Sequence, residues 1–181
     1  GHGDNWLSSW QEWTGMKGVS KQGRYLRLLD TNFEQLLYNG LVFVQQEGEK
    51  EKALELYREA KALEPDNYLP YLFGASVSPD PARALKRAVE IKPDSIRSWI
   101  ILGEVLGSQG RIKEALESFA AASRTFPDYD IPYLRAGSLL ELLGDPKQSR
   151  LLMKRARDLS IKLHPNDTAS GSTRHAECCV S

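Results

Sequence analysis

Eight residues between positions 96 and 129 stand at intervals that suit two short helices and nothing else. Trp99, Leu102, Gly103 and Leu106 fall at i, i+3, i+4 and i+7, and Ala115, Phe119 and Ala122 repeat that interval before Pro127. A period of about 3.6 residues puts the first four on one helix face and the next three on a face of a second helix. Gly103 and Ala115 are small where the two helices must approach, while Trp99 and Phe119 can fill the space between layers. Pro127 ends the second helix, because a proline cannot continue the i to i−4 ladder.

This spacing resembles the tetratricopeptide repeat pattern W-x2-L-G-x2-Y, then A-x3-F, then a closing Pro. The resemblance implies an all-α fold, an α-solenoid of antiparallel helix pairs wound as a right-handed superhelix. A repeat needs neighbours to bury its faces. Ala53, Tyr57, Ala60 and Pro65 supply the second half of a unit at 34–67. Its first half departs from the pattern, with Leu37 for the large aromatic, Gly40 for the leucine and Leu41 for the small residue. Thr31-Asn32-Phe33-Glu34 reads as a capping box at its start. Downstream, Tyr133, Ala136, Gly137 and Leu140, then Ser149, Met153 and Ala156, mark a unit at 130–163. Asp145-Pro146 opens its second helix, which is expected to reach about Leu163 and stop at Pro165. Gly48, Gly110 and Gly144 sit in the expected inter-helix turns.

Between these lies a shortened unit, 68–95. Tyr71, Gly74 and Ala75 fit a first helix, and Leu85, Ala88 and Pro93 a second, with residues missing around Ser78-Pro79-Asp80-Pro81. Two prolines in three residues forbid a continuous helix there. Pro70 fits an opening turn, where a missing N–H costs little. The expectation is about four repeats, one of them shortened, in a domain at 34–165.

The flanks differ. Gly1-His2-Gly3, without methionine, reads as an expression scar, which leaves open an upstream signal or anchor. Residues 4–30 hold a Trp-rich helix (Trp6, Leu7, Trp10, Trp13), a linker at 17–23 and a second short helix around Tyr25–Leu29. The Trp stripe could cap the first repeat, lie at a membrane interface or bind a partner. Residues 166–181 are polar and expected to be disordered. If Ser181 is the native end, Cys178-Cys179-Val180-Ser181 matches a prenylation pattern with Cys178 as the lipidated residue. Cys178 and Cys179 are the only cysteines, so no disulfide staples the core.

Composition narrows the function. Lys plus Arg and Asp plus Glu both number 24, so net charge argues against nucleic-acid binding. No apolar run is long enough to span a bilayer. His2, His164 and His175 lack the spacing of a metal site. No phosphate loop or serine nucleophile motif is present, so neither enzyme activity nor a cofactor is expected. The carboxylates along 47–59 alternate with Lys50, Lys52 and Arg58 as a solvated face. Lys147, Arg150, Lys154 and Arg157 form a basic stripe, read as the wet outer face of a terminal helix or as a site for an acidic partner or anionic membrane.

In such an array the first helices line the concave side. Members of the family that clamp a carboxylate use Lys, Asn and Arg there. The matching positions here are Gln35, Tyr38 and Val42, then Leu69, Leu72 and Phe73, then Arg97, Ile100 and Ile101, with Val42 and Phe73 where asparagines are needed. The clamp is absent. The expected groove is instead apolar: Tyr38, Val42, Leu69, Leu72, Arg97, Ile100, Glu104, Ile131 and Leu134. An open groove of that kind should be covered by a protein or peptide partner, such as an amphipathic helix. The chain's own Trp-rich helix or a second copy of the protein could fill it instead. The reading is a cytoplasmic, non-catalytic scaffold. The alternative is the soluble domain of a membrane-associated assembly or trafficking factor.

Overall fold

The computed structural model describes residues 32–163. Among them run eight α-helices: α1 (Asn32–Val44), α2 (Lys50–Leu63), α3 (Leu69–Gly74), α4 (Pro81–Ile91), α5 (Ile96–Ser108), α6 (Ile112–Thr125), α7 (Ile131–Leu142) and α8 (Pro146–Leu163). A 3-10 turn, Ala75–Val77, extends α3, and no strand occurs among the described residues. Each helix packs on the next, so the pairs α1–α2, α3–α4, α5–α6 and α7–α8 stack in chain order.

One joint is built three times over. Glu64, Lys92 and Phe126 each close a second helix by donating N–H to the carbonyl of Ala60, Ala88 or Ala122, at 3.0 Å in every case. Their backbones nearly coincide, at φ −133 and ψ 80, φ −129 and ψ 84, and φ −135 and ψ 84. The cause is local: each precedes a proline, whose ring keeps the preceding residue out of the helical region. Pro-Asp then forms the middle of a turn closed from Asn67, Ser95 and Tyr129 N–H onto the Glu64, Lys92 and Phe126 carbonyls, at 3.1, 3.1 and 3.2 Å. Proline's fixed φ suits the second position of such a turn. The next first helix therefore leaves each joint in the same direction.

Inside a unit the turn is different. Gly48, Gly110 and Gly144 have φ of 81, 75 and 78, a region where a Cβ would clash with the backbone. At the last two, Arg111 N–H reaches the Leu106 carbonyl and Asp145 N–H the Leu140 carbonyl, both at 2.9 Å, satisfying helix-end acceptors.

The core lies between first and second helices. An added Cβ on Gly103 would lie 2.7 Å from the Phe119 ring, and one on Gly40 would lie 2.6 Å from the Tyr57 ring. The first unit therefore corrects the expected register. Gly40, not Leu41, makes room for the ring of the second helix, one position earlier than Gly103 does in its own unit. The compensation is a longer turn, 45–49, between α1 and α2. In the shortened unit α3 has 6 residues and α4 has 11. The Asp80 carboxylate caps α4 by accepting from Arg83 N–H at 3.1 Å, and Pro70 is buried in the first turn of α3.

The Trp6–Trp13 helix, the linker at 17–23, the helix near Tyr25, Thr31 of the capping box, the stop at Pro165 and the tail with Cys178 lie outside the described residues.

Candidate functional site

The first helices and the joints feeding them enclose a cavity of about 520 Å³ at the third unit. Its apolar wall comes from Ile96, Ile100 and Ile101 of α5, Ile131 of α7, and the joint residues Tyr68, Phe126 and Tyr129. Phe126 and Tyr129 are 46% and 40% exposed, large side chains held in water by the turn that carries them. Two aromatic donors fix these joints. The Trp99 indole N–H donates to the Pro93 carbonyl at 2.8 Å, and the Tyr133 hydroxyl donates to the Pro127 carbonyl at 3.0 Å. Each ties a first helix back to the proline six residues upstream. Ser95 completes the α5 start, its hydroxyl accepting from Ser98 N–H at 3.3 Å.

Charged side chains also line the cavity: Lys92, Asp94, Arg97 and Glu104. Arg135 Nε meets Glu104 Oε1 at 3.1 Å, joining α7 to α5. Lys92 meets Asp94 at 3.4 Å and lies 5.7 Å from the Tyr68 ring centre. Burial pushes the Tyr68 phenol above its ordinary range, so it stands in the wall as a neutral group. Both ion pairs are exposed and individually contribute little to stability. Their use is to frame an apolar floor with opposite signs.

The expected groove residues divide into several groups. Arg97, Ile100, Glu104 and Ile131 share this cavity. Leu69 lines a neighbouring one of about 640 Å³, to which Tyr68 and Lys92 also contribute. Leu134 is 39% exposed on α7, and Val42 is half-buried on α1. Tyr38 and Leu72, expected in the groove, are buried at 9% and 5% exposure. Both belong to the interior, where a partner has no access. Leu72 packs in the main core cluster with Leu85 and Leu102.

Among the lining residues the sequence reading missed are Tyr68, Phe126, Tyr129 and Asp94. All are in joints, and the repeated Pro-Asp pairs at 65–66, 93–94 and 127–128 could have pointed to them. Among the described residues no group of three or more His, Cys, Asp or Glu could hold a metal ion. No helix among them is long and apolar enough to cross a membrane.

Residues 96–129 match the family model for the tetratricopeptide repeat. No curated protein matches the sequence. Among solved structures, a crystal structure of MamA superposes with a TM-score of 0.67 at 21% identity, covering 78% of this chain and 86% of that one. A second crystal structure of MamA gives 0.63 at 19% identity, covering 86% and 82%. The MamA RS-1 ArsTM double mutant gives 0.63 at 15% identity, covering 77% and 81%. Identity at this level carries the fold alone. The chain folds as a tetratricopeptide-type α-solenoid, and such repeats support a role in protein–protein interaction.

Proposed function

We propose that the chain is a non-catalytic scaffold that seats an apolar peptide or amphipathic helix of a partner protein in the concave groove at α5 and α7, as a subunit of a larger complex. The observation that carries this is the half-open cavity walled by Ile100, Ile131, Phe126 and Tyr129. Apolar side chains clustered in a concavity stay at higher free energy while hydrated, and a partner's apolar stripe removes them from water. The Glu104–Arg135 and Lys92–Asp94 pairs set the direction of the occupant through its flanking charges.

Ile131→Asp combined with Tyr129→Ser should break this function without breaking the fold, since neither side chain is in the buried core. Partners captured by the full chain and identified by mass spectrometry should be lost from the double variant, while far-UV circular dichroism stays unchanged. Equal capture by both proteins would refute the groove. Size-exclusion across a concentration series separates the occupants. An oligomer that the double variant dissolves means that a second copy fills the groove.

A further inference from the structure

The last helix carries a charge pattern found in no other element of the array. α8 (PKQSRLLMKRARDLSIKL) holds six cations against the single acid Asp158. The whole chain is neutral, so every other part together carries the compensating negative excess. All six cations are exposed. Arg155 lies 5.9 Å from the Tyr133 ring centre. Lys147, Arg150, Lys154, Arg157 and Lys162 have no ion-pair partner among the described residues.

Apolar side chains are exposed beside these cations. Leu142 is 80% exposed, Leu143 51%, Leu151 61% and Ile161 44%. Leu142 ends α7, Leu143 begins the turn that leads into α8, and Leu151 lies in the second turn of that helix.

This face is not built to continue the stack. In α6 the equivalent position to Arg150 is Leu116, partly buried and packed against the main core cluster. Arg150 is exposed instead, and Arg157 likewise stands where α6 has the half-buried Ser123. A further apolar helix laid there would bury two guanidinium groups without counter-charges, which is strongly unfavourable.

We infer that α8 and the Leu142–Leu143 turn form a peripheral docking surface for an anionic lipid bilayer. The cations do not converge on a point. They run from Lys147 to Lys162 along a helix about 27 Å long, at 1.5 Å per residue. A predominantly positive line, interrupted only by the exposed Asp158, matches a planar surface whose anions are many and laterally free. The leucines decide against a purely electrostatic acidic partner, because they enter the headgroup boundary while lysine and arginine stems reach the phosphates. The concave groove, by contrast, carries both signs and remains open to a protein while α8 lies on the bilayer.

The test uses the full chain and sedimentation with vesicles of phosphatidylcholine, with or without phosphatidylglycerol. Binding is expected only with phosphatidylglycerol and should fall as salt screens the cations. Each neutralised cation should weaken it about fivefold, so Arg150→Gln with Lys154→Gln should weaken it about 25-fold. Leu142→Ser with Leu151→Ser should weaken binding yet keep the salt dependence. Lys50→Gln with Arg58→Gln, on exposed positions of α2, should leave it unchanged. No binding to phosphatidylglycerol vesicles at low salt overturns the inference, as does an equal loss in the α2 variant or none in the α8 variant. Capture of polyglutamate by α8 without vesicle binding overturns it too, and assigns the surface to an acidic protein. None of these outcomes bears on the Ile131→Asp and Tyr129→Ser experiment.

Discussion

The complete unit at 96–129 and the shortened unit at 68–95 solve one packing problem with different lengths of chain. In the complete unit, helices of 13 and 14 residues cross where Gly103 opposes Phe119. In the shortened unit the ring position is taken by Leu85, fully buried, and the glycine has changed partner. An added Cβ on Gly74 would meet Tyr57 of the preceding unit, at 3.2 Å. The deletion was absorbed by the first helix and the start of the second, α4 having 11 residues against 14 in α6. The end of the second helix and the Pro-Asp joint were left as they are elsewhere. A solenoid tolerates loss within a unit more readily than loss between units, because the joint sets the direction of everything that follows. Across this boundary an exposed bridge also forms: Glu114 accepts from Lys86 at 3.0 Å and from Arg111 at 2.6 Å. Hydrogen bonds from Arg111 and then Lys86 hold its carboxyl down at about 2.

Cavity formation gives the sharpest test of that contrast. Phe119→Ala should cost about 3–5 kcal/mol, since the ring fills the crossing and straight helices cannot collapse onto the void. Leu85→Ala should fall at the lower end of about 2–5 kcal/mol, because the short α3 can move inward. Urea midpoints measured at unchanged m-value check both. If Leu85→Ala were the costlier, the shortened unit would be the anchor of the array.

Next in size is the glycine pair. Gly103→Ala puts a methyl 2.7 Å from the Phe119 ring and should cost about 1–3 kcal/mol through overpacking. Gly74→Ala meets Tyr57 less closely and gains about 0.5–1 kcal/mol of helix propensity, so it should be near neutral. Equal melting temperatures for the two variants would mean that the crossing at Gly103 is looser than its geometry.

The smallest effect concerns Tyr57, which takes the ring position in the first unit. Its hydroxyl is buried with no hydrogen-bond partner among the described residues. Tyr57→Phe should therefore raise stability by up to about 1 kcal/mol. Burial holds the folded phenol above its ordinary value of 10.0. Ionisation of Tyr57 therefore costs the fold nothing below pH 10, and stability falls as pH rises further. A thermal melt series should show a weaker alkaline decline in the phenylalanine variant. Lower stability of that variant at neutral pH would reveal a partner contributed by residues beyond 32–163.

How much of this could be read from the chain alone varied by region. The unit at 96–129, the turn glycines and the deletion around Ser78–Pro81 were legible, because backbone stereochemistry leaves few residues able to serve there. The register of α1 was not. A five-residue turn and a three-residue turn look alike until Gly40 is seen against Tyr57. Which of the expected groove residues reach the surface was not legible, since periodicity identifies a helix face without saying how far its neighbours cover it. Tyr38 and Leu72 occupy groove positions by spacing and core positions by burial.

The sequence by itself determined where helices start, stop and turn, through proline, glycine and the spacing of small against large residues. These act within a few bonds and need no distant partner. Only the tertiary structure decided which apolar side chains stay at the surface. Exposure depends on the clipped α3 and on the joints that hold Phe126 and Tyr129 outward. Those are properties of the assembled stack, where each helix is covered by residues far from it in the chain.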